Sequence, residues 1–73
     1  MNKKEIMTLI LKIKYTKDNP EYLYLSPELY HLLQPDMYNW KENYPGAIHY
    51  HQTICGLSVI LDKELKEKSF VIK

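Results

Sequence analysis

The sequence contains no arginine: its ten basic residues are all lysine, set against nine acids for a net charge of +1. Arginine is the side chain that forks onto phosphates and guanine edges. Its absence at near-neutral charge argues against a dedicated nucleic-acid binder and leaves only a local lysine patch as a route to one. Cysteine is almost missing too. Cys55 alone excludes an internal disulfide and fits a reducing compartment. Two glycines are too few for a phosphate-cradling loop. There is also no long hydrophobic run, since IMTLIL near the start is soon interrupted by Lys12 and Lys14 and is too short to span a bilayer. With no secretory leader read at its start, the expectation is a cytoplasmic protein that does not enter a membrane.

What is present is short and aromatic. Seventy-three residues allow one domain, 1–73, whose core can only just sustain itself. Seven tyrosines and one tryptophan suit a contact surface, because large amphipathic rings bury much area while ordering few torsions. They equally suit a tiny core that uses tyrosine as bulk.

The stretch 2–15, NKKEIMTLILKIKY, fits two patterns. Ile6, Leu9, Ile10 and Ile13 make a helical stripe, while Leu9, Leu11, Ile13 and Tyr15 alternate as in a strand. Asn2 with Glu5 makes an N-terminal cap pair and tips the reading to helix. TKDNPE is a turn, with Pro20 pushing its predecessor out of helical space. YLYL, 22–25, reads as a short strand covered on both faces. Ser26, Pro27 and Glu28 then open a helix over about 27–33: serine caps, proline sits where its missing N–H costs nothing, and glutamate meets the positive end of the dipole. That helix is expected to bury Leu29, Leu32 and Leu33.

Residues 35–46, PDMYNWKENYPG, hold two prolines and a glycine among aromatics and read as a loop. Strand signals follow in IHYHQTI, LSVIL and SFVIK, with DKELKEK as a solvated turn. The predicted fold class is α+β: a small single domain with two helices packed on a small sheet that ends in a C-terminal β-hairpin.

His49 and His51 share a strand face, and Cys55 could join them, which is the beginning of a zinc set. No second cysteine completes it. A Cys–His pair could also act as nucleophile and base, but nothing in the sequence orients the histidine. The expectation is therefore no enzyme, no metal and no cofactor. A loop rich in proline and glycine keeps to the surface, so Met37, Tyr38, Trp40 and Tyr44 are the candidate partner-binding residues. Leu25, Leu29, Leu32, Leu57, Val59 and Phe70 are the candidate core.

Two segments carry a family resemblance. NPEYLYLSPELYHLL resembles the stretch in HK97-like phage major capsid proteins where a short strand leads into an "SP/NP-x-x-[WY]-x-x-L" helix, with Ser26, Pro27, Tyr30 and Leu33 at the matching positions. ICGLSVILDKELKEKSFVIK resembles the later "G-[IVL]-x-V" strand, turn and second strand of that family, through Gly56, Leu57, Val59 and Leu65. Ser58 stands where the family favours proline, and Lys66-Glu67 where Pro-Gly is common. The resemblance covers about half the chain, and capsid subunits are several times longer.

It implies a non-enzymatic phage- or prophage-type protein, a capsid-fold-like module that binds protein or associates with itself. Its partners would be a further copy in a homo-oligomer, capsid subunits or a host protein, in the host cytoplasm. It would also complete a small sheet around YLYL. The other reading is a small phage-encoded regulator or inhibitor of a host or defence protein, suggested by size and the cluster Tyr38, Trp40, Tyr44.

Overall fold

A computed structural model describes residues 2–73; the side chains of Tyr44, His49 and Tyr50 lie outside that description. Helix α1 spans Lys3–Lys14. The Asn2 side chain accepts from the Glu5 N–H at 2.9 Å, Glu5 lies in the first turn and Lys12 and Lys14 in the last, so cap and charges all suit the dipole. Of the predicted stripe, Ile6 and Ile10 are buried. The chain turns at 15–21, with Asn19 in the left-handed region at φ 50°, a conformation asparagine tolerates better than most residues.

Strand β1, Tyr22–Leu25, leads into α2, Pro27–Leu33. Ser26 is fully buried and its hydroxyl accepts from the Leu29 N–H at 3.4 Å. Two expectations are corrected here. Only Leu23 and Leu25 of β1 are buried, so the strand alternates and is covered on one face. Leu32 is 38 % exposed, because in a helix this short Leu29 and Leu33, four apart, occupy the inward stripe.

A 3-10 turn, Gln34–Asp36, follows, and then the largest correction. The expected loop is mostly strand: β2, Tyr38–Tyr44, pairs antiparallel with β3, Ala47–Ile54. Pro45 and Gly46 are the two-residue turn between Tyr44 and Ala47, and Gly46 at φ 83° takes the left-handed position that glycine fills at no steric cost. Proline and glycine therefore close a hairpin. A second two-residue turn, Cys55 at φ 52° and Gly56 at φ 77°, joins β3 to β4, Leu57–Leu61. Positive φ at both positions defines the type I′ geometry, whose twist matches that of paired strands. The Lys14 ammonium donates to the Cys55 carbonyl and ties this turn to the end of α1.

The five strands run β2-β3-β4-β1-β5, with β5 at Phe70–Ile72. β1 is parallel to β4 and antiparallel to β5. The molecule is thus an α+β domain of two helices on one mixed sheet. The two C-terminal strands do not pair with each other; β1 runs between them. The turn over 62–69 is held locally, Asp62 Oδ1 accepting from the Glu64 N–H at 3.0 Å.

Both helices lie on one face, where Ile6, Ile10, Leu29 and Leu33 meet Leu23, Leu25, Met37, Ile54, Leu57 and Ile72 in a single core. Leu25, Leu29 and Leu57 belong to it as expected, and Val59 and Phe70 pack against it half-buried.

Candidate functional site

The register fixes what the helix-free face presents. Tyr22 lies beside Ser58, Ser58 beside Thr53, and Thr53 beside Tyr38, so one row crosses four strands. In the next rows Tyr24 stands between Ile60 and Val71, and Trp40 opposite His51. Tyr22, Val71, Trp40 and Tyr38 are exposed, and the Lys73 ammonium sits 5.0 Å from the centre of the Tyr24 ring. A sheet with one face on the core and one toward water is ordinary where most of its strand pairs are antiparallel, as three of the four are here. Four large aromatics on the watered face are what distinguishes this one.

The second feature is an arm. Among the described residues the ladder between β3 and β4 holds only Thr53 with Ser58 and Ile54 with Leu57, whereas β2 and β3 stay paired from Tyr38–Thr53 out to Tyr44–Ala47. The outer β2–β3 hairpin therefore runs on beyond the sheet, and the molecule measures 42 Å along its longest axis against 26 and 22 Å. At its base the arm is well anchored. Met37 and Ile54 are core residues, Tyr30 of α2 donates to Gln52 Oε1 at 2.5 Å, and Asn39 donates to the Met37 carbonyl at 3.3 Å.

On the arm itself, the Trp40 and His51 rings stack at 4.1 Å with 15° between planes. His51 Nε2 lies 3.2 Å from Glu42 Oε2. Stacking holds Trp40 in one orientation while leaving it 37 % exposed. Where β3 parts from β4 an open cleft forms, lined by Asn39, Trp40, His51, Gln52, Ser58 and Val59.

Of the four residues expected to bind a partner, the structure brings Tyr38 and Trp40 onto one face of β2. Tyr38 is 69 % exposed. Met37 is 6 % exposed and belongs to the core instead; it precedes the strand and points inward as Tyr38 points out. The side chain of Tyr44 lies outside the described residues. Sequence reasoning missed Tyr22, Tyr24 and Val71 as surface. Their signal was the alternation within YLYL, which the reading of a doubly covered strand set aside.

Other chemistry is sparse. Among the described residues no group of three His, Cys, Asp or Glu is placed to hold a metal ion. Partial burial pushes the Cys55 thiol up, against the opposing pull of Lys14, so its thiolate is scarce. A separate groove between the helices is walled by Ile6, Pro27, Leu29 and Leu32, with Glu28, His31 and Lys68 beside it. Beside that groove Glu28 shares a hydrogen bond with Glu67, which raises its pKa, with desolvation and the Glu67 charge adding and Lys68 opposing. No helix among the described residues is long and apolar enough to cross a membrane. Comparison with family models, curated proteins and solved structures gives no match.

Proposed function

We propose that this chain is a non-enzymatic protein-interaction module of phage or prophage type, which associates with itself or docks on capsid subunits through the β2–β3 arm. The observation that carries the reading is the pairing of a firmly anchored base with exposed rings beyond it. Trp40 lies on a two-stranded projection and Tyr38 at its foot, where the root enters the core. Rigid aromatics that protrude from an anchored scaffold are the usual material of binding hot spots, since they bury much area for little lost entropy. The phage assignment rests on the sequence resemblance around Ser26, Pro27, Gly56 and Val59. A small regulator docking on a host protein would use the same surface.

Light scattering across a concentration series tests the self-associating form, and copurification with capsid subunits or with a single host protein separates the other two. Trp40→Ala and Tyr38→Ala are expected to weaken whichever association is found. A protein that stays monomeric and binds neither class of partner refutes the proposal.

A further inference from the structure

The backbone of β3 offers more than its side chains. Ile54 faces Leu57 across a two-residue turn, so its N–H and C=O point toward β4. Backbone groups alternate in direction along a strand, so those of Gln52, Tyr50 and Ile48 point the same way. There, among the described residues, the β4 ladder has already ended, while Ala47, His49, His51 and Thr53 face β2. The opposite edge of β4 agrees, because Ser58 and Asp62 donate to Glu21 and Leu25 on the β1 side at 2.9 and 2.8 Å. The inner edge of the arm is thus a row of three outward-facing residues, evenly spaced and centred on Tyr50.

Such a row is complementary to itself. Turned about a two-fold axis through Tyr50, residue 48 of one copy stands opposite residue 52 of the other, and 50 opposite 50. All of these positions are hydrogen-bonding ones. A two-fold interface requires this kind of self-match. Charge separates this edge from the one on β2. There the outward row is Asn39, Lys41 and Asn43, and the same operation would set Lys41 against its own copy, a like-charge pair that opposes association. The sequence of β3, AIHYHQTI, contains no lysine, aspartate or glutamate, and Ile48 is half exposed. Edge strands without charge or proline are the ones that recruit another strand.

We infer that two copies of this chain pair antiparallel along residues 48–52 of β3, the two arms joining into one four-stranded sheet in the order β2-β3-β3-β2. This rests on the self-associating form of the proposed function and specifies its geometry.

Two variants test it. In Ile48→Pro the lost N–H points away from β2, a position that tolerates proline, so the arm keeps its own ladder while two symmetry-related interchain bonds disappear. The dimer dissociation constant, from sedimentation or light scattering, is expected to rise about tenfold or more. In a Cys55→Ser background, Tyr50→Cys is expected to give a disulfide-linked dimer under mild oxidation, because directly opposed hydrogen-bonded residues stand about 5.5 Å apart, within disulfide reach. Ile48→Cys alone, which meets residue 52 of its partner, is expected not to.

Self-association that weakens with Trp40→Ala but ignores Ile48→Pro and yields no Tyr50→Cys cross-link overturns the edge pairing and leaves the functional reading standing. A chain that binds only a foreign protein through Trp40 also overturns the pairing alone. Absence of any association overturns both.

Discussion

Met37 and Tyr38 are neighbours in sequence with opposite fates, and exchanging each for alanine tests the placement of the whole arm. Met37 is 6 % exposed and packed in the core, whereas Tyr38 is 69 % exposed on the helix-free face. Met37→Ala removes buried methylene and sulfur atoms beneath the root of the hairpin, where Asn39 and the 3-10 turn both hydrogen-bond to Met37 backbone atoms and limit collapse around the void. Truncations of this kind cost about 2–5 kcal/mol. A domain this small has about 4–11 kcal/mol in total, so the loss is a large share of its stability. Tyr38→Ala removes a largely solvated ring and should stay within about 0.5 kcal/mol. Urea unfolding followed by circular dichroism, with the single tryptophan as a second probe, measures both. Equal losses for the two variants, or a larger loss for Tyr38→Ala, would mean that β2 is inverted or that the segment is a loop after all.

Further expectations follow from the caps, turns and charges. Trp40→Ala should lower stability by about 0.5–1.5 kcal/mol, the scale of one ring stack, while association falls by at least about tenfold; the reverse ordering in thermal melts and light scattering would place Trp40 in the core. Cys55→Asn should raise the melting temperature, by about 0.5 kcal/mol of stability, because asparagine accepts the left-handed φ of 52° more readily than cysteine; no change or a loss would show that the half-buried thiol matters more than the turn. Ser26→Ala should cost about 1 kcal/mol through the lost N-cap, measurable by urea unfolding. The pKa of Glu28 is raised in the fold, so between its ordinary and raised values the folded chain holds a proton that the unfolded chain has lost. Stability contributed there is present at low pH and falls as pH rises through that window. Glu67→Gln should flatten this slope in melts taken across the mildly acidic range.

Where the fold was legible, the signal was local. Asn2 with Glu5, and Ser26-Pro27-Glu28, mark helix starts because caps act over one turn, and both starts lie where expected. The residues hardest to place were those whose role depends on a distant partner. Pro45 and Gly46 read as parts of a loop, and only the pairing of β2 with β3 makes them the tight turn of a hairpin. Met37 looks like its exposed neighbours until the hairpin is rooted in the core. The insertion of β1 between β4 and β5 leaves no mark in any short window, because β1 is read as one strand whichever neighbours it takes. Of the candidate site, Tyr38 and Trp40 could be named from composition, but the face they share with Tyr22 and Tyr24 required the register of four strands.

That insertion also orders events in time. β1 can join the sheet only after the segment from Leu25 to Leu57 has closed, and β5 only after the segment from Leu25 to Phe70 has closed onto β1, and such closures must be completed before their contacts return any free energy. The β2–β3 hairpin, joined by two residues, can form within microseconds, yet an isolated two-stranded ribbon is marginal in water. The arm therefore flickers early and becomes lasting only once the slow central strands hold its root. Amide exchange should record this as a gradient, slowest at Leu23 and Leu25 and fastest toward Gly46, so that the part of the molecule best shaped to meet a partner is also the part most easily remoulded by one.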